Sequence, residues 1–179
     1  MEELGKTIGF REGYHRVVIH PGAGWISRRW PWERYAEIIR LLGTHPNLDL
    51  IMVGGPEGGA SEQEVFGKLR HAFAGKIFDL SGQISLRMLL ALLYRSHLFI
   101  GNEAGPLHMA GALSLPSVAI LGPTRRERTG PFSAKTTVIQ KHVSCAPCRN
   151  RSCKELTCMK EVSVEEVYEA VEAKLASLG

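Results

Sequence analysis

The stretch VVIHPGAGWISRRWPWERY, residues 17–35, decides the fold of this chain. It opens with a short apolar run that predicts a buried strand, continues through a turn that contains Gly22, Ala23 and Gly24, and ends in a segment that predicts a helix. α/β proteins hold phosphate groups where a strand leads through such a turn into a helix, because the helix N-terminus offers unpaired N–H groups and a partial positive charge. The stretch therefore predicts an α/β fold with an anion-binding turn.

The same alternation continues along the chain. Continuous apolar runs predict buried strands at 16–20, 49–55, 76–82, 97–102 and 117–122. Helical periodicity predicts helices at 30–43, 60–73, 85–96, 106–114 and 163–178, with serine caps at Ser85 and Ser163. Strands that alternate with helices predict a Rossmann-like parallel sheet with helices on both faces.

Two segments lack this alternation. Residues 1–15 are polar and aperiodic, and we predict a leader or an interdomain linker there, with one domain over 16–179. Residues 123–160 are basic, rich in turn residues, and contain a loop at 144–159 that carries all four cysteines. We predict a segment rich in turns here and assign no strand or helix to it.

The composition narrows the class of protein. The chain has 179 residues, 44% of them hydrophobic, which is enough for one domain with a full core. No apolar run approaches the length of about 18 residues that a membrane span needs. The first 15 residues lack the apolar core of a signal peptide, so we expect a cytoplasmic protein.

The positive charge is concentrated in one segment. The net charge is +4, and residues 125–154 hold eight Lys and Arg against the single acid Glu127. Such a patch suits phosphates, an anionic membrane surface or nucleic acid, although a solvated basic loop has the same composition. A nucleic-acid-binding module built on this segment is therefore an alternative. We expect no nucleic acid partner, because the Lys and Arg residues of this segment are not interleaved with exposed aromatic residues, which proteins that bind single strands use.

Glycine or other small residues follow four of the predicted strands. These turns lie at 20–24, 54–57, 101–106 and 122–124. In a parallel sheet all four share the carboxyl edge, where open α/β sheets bind ligands. The first turn has no G-x-G-x-x-G pattern, which disfavours an NAD-dependent oxidoreductase, and the chain has no G-x-x-x-x-G-K-[ST] phosphate loop. A nucleotide-binding α/β domain of another kind remains the prediction.

Charged side chains near these turns are candidates for ligand contacts. Arg28 and Arg29 precede the predicted helix, and an arginine offers a planar fork to phosphate oxygens. We assign the phosphate to Arg28; the alternative is a surface arginine stacked on Trp30. Glu103 has two interpretations, as an acceptor for sugar hydroxyls or as a cap of the following helix. His108 is interpreted either as a ligand contact or as a packed histidine.

Six motifs in chain order carry a resemblance to a known family. They are HPGA, RRWPWERYAEI, VGGPE, SLRMLLALLYRSHLFIGNEAGPLHMAGAL, LGPTRRERTGPF and C-x2-C-x4-C-x4-CM. Together they resemble the heptosyltransferases of glycosyltransferase family 9 over residues 17–175. These are two-domain GT-B enzymes that build the lipopolysaccharide inner core from an ADP-activated heptose. The chain resembles only their C-terminal, nucleotide-sugar-binding half.

The resemblance implies an inverting transfer in which this half binds the donor. The general base and the lipid-linked acceptor site belong to an N-terminal domain that has no match in this chain. The chain alone is therefore expected to bind donor and to transfer little. The resemblance also implies weak association of the basic segment 125–154 with the anionic inner face of the inner membrane, where the acceptor lipid resides.

The resemblance also implies roles for individual residues. The diphosphate is expected near residues 22–24, with Arg28 in the place of a basic residue, usually Lys, where it stabilises the leaving nucleoside diphosphate. The usual Asn-Asp-Ser-Gly-Pro turn is NEAGP at 102–106, so Glu103 is one methylene longer than Asp and Ala104 lacks a hydroxyl. An acid of the second turn or its helix is expected to hold the ribose, the candidates being Glu57, Glu62 and Glu64.

These expectations define a substrate site without a catalytic cofactor. The expected substrate contacts are Gly22, Ala23, Gly24, Arg28, Glu57, Glu62, Glu103, Ala104, Gly105, His108 and Thr124. No metal is expected in catalysis, because helix dipoles and Arg28 supply the positive charge. The absence of a D-x-D pair from the sequence agrees with this expectation.

The four cysteines form a separate candidate site. Cys145, Cys148, Cys153 and Cys158 lie close enough in sequence to bind zinc or an iron–sulfur cluster. In a cytoplasmic protein a metal is favoured over disulfides. The spacing is tighter than in most zinc sites built from paired C-x2-C motifs. A structural metal and reduced thiols that order a loop are therefore both open.

Overall fold

A parallel sheet forms the centre of the structure. The structure is a computed structural model, and it describes residues 9–55, 59–73, 77–131, 133–148 and 150–178. Within these residues the strands are β1 His15–His20, β2 Leu48–Met52, β3 Phe78–Asp79, β4 Leu98–Asn102, β5 Ser117–Leu121 and β6 Thr136–Gln140. Their order in the sheet is β3-β2-β1-β4-β5-β6, and every pairing is parallel. The predicted Rossmann-like sheet is confirmed.

Helices cover both faces of the sheet. They are α1 Trp32–Leu42, α2 Gly59–Ala72, α3 Leu86–Tyr94, α4 Gly105–Ala112, α5 Arg126–Thr129, α6 Thr157–Lys160 and α7 Val164–Ala176, and a 3-10 helix, Ile26–Arg28, precedes α1. Side chains of α1, α2 and α7 pack on one face, and those of α3 and α4 pack on the other. Among the described residues, none of the helices combines the length and the apolar character needed to cross a bilayer.

Each central strand is buried on both sides because its side chains alternate between two cores. Val17 and Ile19 of β1 join the core beneath α1, whereas Val18 between them joins the core beneath α3 and α4. Full burial of one such aliphatic side chain contributes roughly 1.5–3 kcal/mol. This burial on both sides explains why the strands appear in the sequence as continuous apolar runs.

The two predicted serine caps are confirmed. Ser85 Oγ accepts a hydrogen bond from the Met88 N–H at 3.2 Å. At the start of α7, Ser163 Oγ accepts from the Glu166 N–H at 3.2 Å, and Glu166 Oε2 accepts from the Ser163 N–H at 3.0 Å. This reciprocal pair is a capping box, which satisfies two donors that the helix itself leaves unpaired.

The segment 123–160 contains β6, α5 and α6, three elements to which the sequence analysis assigned no strand or helix. β6 pairs with β5 from Thr136 to Gln140 and extends the parallel sheet. It is a five-residue strand, intermediate in burial throughout, and only the four-residue α5 lies between it and β5. The usual strand–helix period is therefore absent from the sequence at this point.

Other boundaries move by a few residues. β1 begins at His15, one residue before the predicted start of the domain, and the helix predicted at 30–43 begins at Trp32. Within the segment predicted as a leader or linker, Phe10 meets Phe78 edge to face at 5.5 Å between ring centroids. Arg11 forms an ion pair of 2.7 Å with the buried Asp49. These two contacts tie residues 10 and 11 to the edge of the sheet.

Candidate functional site

The carboxyl edge of the sheet contains a crevice between two turns. The strand order reverses between β1 and β4, so the chain leaves these adjacent strands toward opposite faces. Ligands of open α/β sheets bind at this switch point. The turn after β1, residues 21–24, and the turn after β4, residues 103–105, lie on its two sides, and the turn after β5, residues 122–124, is the next along the edge.

Asn102, the last residue of β4, holds the first turn against α1. Its Oδ1 accepts hydrogen bonds from the Trp30 N–H at 3.1 Å and the Tyr35 hydroxyl at 3.0 Å. Its Nδ2 donates to the carbonyls of Pro21 at 2.8 Å and Gly22 at 3.3 Å. The side chain is fully buried. The sequence analysis did not select Asn102 as a site residue, although it begins the NEAGP motif.

The first turn presents N–H groups rather than carbonyls. Arg29 Nε donates to the Ala23 carbonyl at 2.8 Å, so with the two bonds from Asn102 the carbonyls of residues 21–23 are all engaged. Within the described part of the chain, the N–H groups of Gly22, Ala23 and Gly24 donate to no protein acceptor. A Cβ added at Gly24 would have no heavy atom within 4 Å, so the space beside the turn is open. A row of unpaired donors suits an anion.

Arg28 lies beside this turn in a constrained position. Its guanidinium Cζ is 3.8 Å from the centroid of the Trp25 ring, and its Nη1 is 3.4 Å from Glu103 Oε1. The Nε–H of Arg28 is buried and has no hydrogen-bond partner among the described residues. Burying an unpaired donor costs free energy, which an acceptor supplied by a ligand would recover.

Glu103 joins Arg28 to the turn after β5. The carboxylate is 2% exposed, and its Oε2 accepts a hydrogen bond from the Thr124 hydroxyl. The interpretation of Glu103 as a helix cap is wrong: α4 has Ala104 at its N-cap position, without a side-chain cap bond. The N-terminal N–H groups of α4 therefore have no side-chain cap, next to the crevice.

The alternative of a surface arginine stacked on Trp30 does not apply to Arg28. Trp30 is buried, meets Tyr35 edge to face at 5.0 Å, and donates from Nε1 to the Val162 carbonyl at 3.0 Å. The aromatic partner of Arg28 is Trp25, which the sequence analysis did not select. Trp30 serves the core beneath α1 instead.

A side chain of β6 and a backbone N–H of the cysteine loop hold the turn after β5. Gln140 Nε2 donates to the carbonyls of Gly122 at 3.0 Å and Thr124 at 2.7 Å. The Cys148 N–H donates to the carbonyl of Pro123 at 2.7 Å. The sequence analysis did not anticipate this role of Gln140, because β6 itself was not predicted.

The remaining predicted contacts occupy varied positions. Gly105 is exposed, and a Cβ there would meet nothing within 4 Å. His108 is exposed on α4, so its interpretation as a packed histidine is wrong. Glu64 is exposed on α2 and pairs with Lys68 at 2.7 Å. Glu57 and the side chain of Glu62 lie outside the described residues, so the predicted ribose contact stays a prediction.

The glycine of the second turn has a packing role. A Cβ at Gly54 would lie 2.1 Å from Cζ of Phe66, a buried side chain of α2. The glycine therefore admits an aromatic ring from the adjacent helix. The sequence pattern does not distinguish this reason for glycine from the close approach of a ligand.

His20, at the end of β1, lies beneath the first turn in its neutral form. Burial and, to a smaller extent, the positive charge of Arg29 together lower the pKa of His20 to about 4. The imidazole is 4% exposed. His20 is therefore uncharged near neutral pH and leaves the positive charge at this edge to the arginines.

The four cysteines do not form a metal site as they are placed. Cys145 is exposed, Cys148 and Cys153 are half-buried, and Cys158 is buried; all four are free thiols. Burial raises the pKa of the Cys158 thiol, and the other three cysteines raise it further, so the four are electrostatic neighbours. In the described residues, however, no three His, Cys, Asp or Glu side chains converge as metal ligands. These side chains therefore do not fit a bound metal.

Comparison with known proteins identifies relatives over most of the chain. The family model described as glycosyltransferase family 9 (heptosyltransferase) matches residues 5–159. Lipooligosaccharide heptosyltransferase 2 of Campylobacter jejuni is 27% identical over 166 residues, which cover 89% of this chain and 50% of that protein. The chain thus spans about half the length of this relative.

Solved structures share the fold. E. coli ADP-heptose lps heptosyltransferase II superposes with a TM-score of 0.80 at 22% identity, over 98% of this chain and 51% of that one. The iron-containing dodecameric glycosyltransferase TibC from enterotoxigenic E. coli has a TM-score of 0.66 at 14% identity, and the match covers 95% of this chain and 47% of that one. These likenesses show the fold of one half of a GT-B glycosyltransferase.

The family match carries the assignment, because it extends over most of the chain and includes the turns after β1, β4 and β5. The chain belongs to glycosyltransferase family 9, the heptosyltransferases.

Proposed function

We propose that this chain is the C-terminal, donor-binding half of an inverting heptosyltransferase of lipopolysaccharide core biosynthesis. Its donor is a nucleotide sugar of the ADP-heptose type, the compound named for the E. coli relative of the same fold. One observation carries the proposal. At the switch point of the sheet, the unpaired N–H groups of residues 22–24 lie in the turn that precedes Arg28, whose buried Nε–H also has no partner among the described residues.

The diphosphate occupies the crevice between the turns after β1 and β4. There it accepts hydrogen bonds from the first turn and from Arg28, and it faces the uncapped N-terminus of α4. Glu103 and the Trp25 ring hold the guanidinium in place, which limits the reorganisation needed when the ligand binds. The nucleoside extends toward β2, and the sugar lies beside Glu103 and Thr124.

In the transfer step, the acceptor oxygen attacks the anomeric carbon from the face opposite the diphosphate, and the nucleoside diphosphate leaves with the bonding electron pair. Negative charge grows on the leaving phosphate, where Arg28 and the N–H groups stabilise it. Glu103 accepts hydrogen bonds from sugar hydroxyls and orients the ring. The base that removes the proton of the acceptor belongs to the other half of the enzyme, so this half alone transfers little.

The donor site is tested by calorimetric titration of the purified chain with ADP, UDP and GDP. We expect ADP to bind most tightly and Arg28→Ala to weaken ADP binding by tenfold or more. Arg40→Ala is the matched control, because Arg40 pairs with Glu37 on the exposed side of α1 at 2.6 Å. The control should bind ADP within twofold of the parent chain.

Two results would count against the donor site. One is unchanged ADP affinity after Arg28→Ala. The other is oligonucleotide binding that weakens steeply with salt while ADP does not bind, which would favour the nucleic-acid alternative.

The location proposed for the chain is the cytoplasm, with weak association at the inner face of the inner membrane through the basic segment 125–154. Each Lys or Arg near an anionic surface contributes about 1 kcal/mol. Flotation with vesicles of neutral and of anionic phospholipid checks this part of the proposal. Recovery that does not depend on anionic lipid would contradict it.

A further inference from the structure

A basic cavity adjoins the proposed donor crevice at the carboxyl end of β5 and shares Arg28 and Thr124 with it. Its volume is about 710 Å³. The side chains that matter here come from the 3-10 helix region, the turn after β5, α5 and the cysteine loop. They are Trp25, Arg28, Thr124, Arg125, Arg128 and Arg151.

The charge of this cavity is not balanced by the protein. Arg125, Arg128 and Arg151 are exposed, and among the described residues no carboxylate pairs with any of them. Glu103 contacts two residues of the cavity lining, Arg28 and Thr124, and is engaged by both. Like charges gathered around one space repel one another, and an anion bound among them removes this cost.

The cavity wall is held in place by contacts that cross the fold. The Arg151 carbonyl accepts from the Ser27 N–H at 3.4 Å, and the Arg151 guanidinium Cζ lies 4.6 Å from the Trp25 ring centroid. The Cys148 N–H bonds the Pro123 carbonyl at 2.7 Å. The cysteine loop therefore presents Arg151 to the same ring that carries Arg28.

The position of the cavity relative to the proposed donor indicates which ligand the cavity binds. This inference rests on the proposed function. The proposed donor runs along the edge from β2, across β1 and β4, and ends with its sugar beside Glu103 and Thr124. These strands are neighbours in the sheet, and β6 lies beyond them. The three arginines therefore lie past the sugar, on the side from which a second substrate is approached.

We propose that this cavity binds an anionic group, a phosphate or a carboxylate, carried on a sugar of the acceptor. Arg125, the residue before α5, and Arg128 within α5 contact this group from one wall, and Arg151 contacts it from another. Arginine suits both kinds of anion because its planar fork bonds two oxygens at once. The donor half would then contribute to acceptor recognition as well as to donor binding.

The experiment follows the Trp25 indole N–H resonance of the full chain during titration with glucose 6-phosphate, glucuronate and glucose, each with and without saturating ADP. We expect both anionic sugars, but not glucose, to shift this resonance, with affinities that ADP leaves within twofold. The double variant Arg125→Gln/Arg128→Gln and the single variant Arg151→Gln should each weaken glucose 6-phosphate binding by tenfold or more. Their ADP affinity should stay within threefold of the parent.

Arg126→Gln is the matched control, because Arg126 lies on the same helix but lines a different cavity, with Gln140 and Lys141. It should leave glucose 6-phosphate affinity within twofold. Loss of affinity equal to that of the double variant would reduce the effect to net charge and overturn the proposal. Competition between ADP and glucose 6-phosphate would assign the anion site to the donor and also overturn it.

The titrations without ADP separate the two proposals. If ADP fails to bind but glucose 6-phosphate binds through the three arginines, the donor site is refuted and the cavity is an anion site without an assigned acceptor. If ADP binds but neither anionic sugar does, the acceptor cavity alone is refuted.

Discussion

At the scale of single residues, buried polar side chains prepare the proposed site. Asn102 and Arg29 engage the carbonyls of the first turn, while Glu103 and Trp25 hold Arg28. Each of these contacts is made within the chain itself, so the N–H groups and the guanidinium are held in position without a ligand. Such preorganisation is the main source of electrostatic stabilisation in enzymes.

Replacement of Asn102 tests this arrangement. Asn102→Ala leaves the Tyr35 hydroxyl, the Trp30 N–H and two carbonyls without their partner, and we expect a loss of about 3 kcal/mol in the free energy of unfolding by urea. Tyr35→Phe removes one of these bonds and should cost about 1 kcal/mol. Asn47→Ala, at an exposed position, is the control; a loss for Asn102→Ala no larger than this control would contradict the bracing role.

The pH dependence of stability should depend on His20. The unfolded chain protonates His20 near pH 6.5, whereas burial holds the folded pKa at about 4. The unfolded state therefore binds more protons between these values, so the contribution of His20 to stability is complete above pH 6.5 and falls by up to roughly 3 kcal/mol as the pH drops toward 4.

Urea unfolding at pH 7 and pH 4.5 measures this effect. His20→Asn should lose less stability over this interval than the parent chain. His71→Gln, at an exposed position on α2, should follow the parent. If His20→Asn showed the same pH slope as the parent, His20 would not be the group responsible.

At the scale of elements, two of the glycine turns allow a helix side chain to pack directly against the backbone. Phe66 of α2 packs on Gly54, and Met159 of α6 packs on Gly122, where an added Cβ would lie 2.3 Å from the Met159 Sδ. Gly24 and Gly105, in the turns on the two sides of the switch point, are open, because an added Cβ would meet nothing within 4 Å at either position. Two glycines of the predicted turns, Gly54 and Gly122, therefore serve packing, whereas the space beside Gly24 and Gly105 is open.

Gly54→Ala tests the packing of α2 on the second turn. The added methyl group would clash with the Phe66 ring, and we expect a loss of 1–3 kcal/mol in the free energy of unfolding. Gly67→Ala is the control on the same helix, since a Cβ there meets nothing within 4 Å. It should raise stability by up to about 1 kcal/mol, because alanine favours a helix over glycine.

A double-mutant cycle decides whether the clash causes the loss. Gly54→Ala should cost less in a Phe66→Leu background than in the parent, because the smaller side chain leaves room for the methyl group. Additive costs would show that Phe66 is not the obstacle and that the turn itself needs glycine.

At the scale of the whole molecule, the chain corresponds to about half of its relatives. Its crevice and its basic cavity both lie at the carboxyl edge of the sheet, where Glu103 is tied to Arg28 and Thr124. A buried and doubly engaged carboxylate is poorly placed to remove a proton from an acceptor. This agrees with the proposal that the general base lies in the other half of the enzyme.

The corresponding prediction concerns transfer. We expect the chain to bind ADP-heptose but to transfer the sugar to a lipopolysaccharide acceptor at least about 10²-fold more slowly than a full-length family member. General base catalysis contributes about 10²–10⁴-fold, and this contribution would be missing. ADP release measured beside a full-length relative checks this. A rate within tenfold of that relative would show that the chain carries its own base.

The sequence by itself determined the parallel α/β fold, the shared edge of the turns and the candidacy of Arg28. These follow from local patterns, because apolar runs, helical period, serine caps and glycine turns are each written within a few neighbouring residues. The same reasoning missed β6, whose short and half-buried run carries little pattern.

Only the tertiary structure decided which groups meet. Asn102 reaches Tyr35 and the first turn, Glu103 joins Arg28 to Thr124, and Arg151 approaches Trp25. These partners are separated by roughly twenty to more than a hundred residues in sequence. They come together because the order of the strands places β1 beside β4 and β4 beside β5, and strand order is a property of the packed sheet rather than of any local segment.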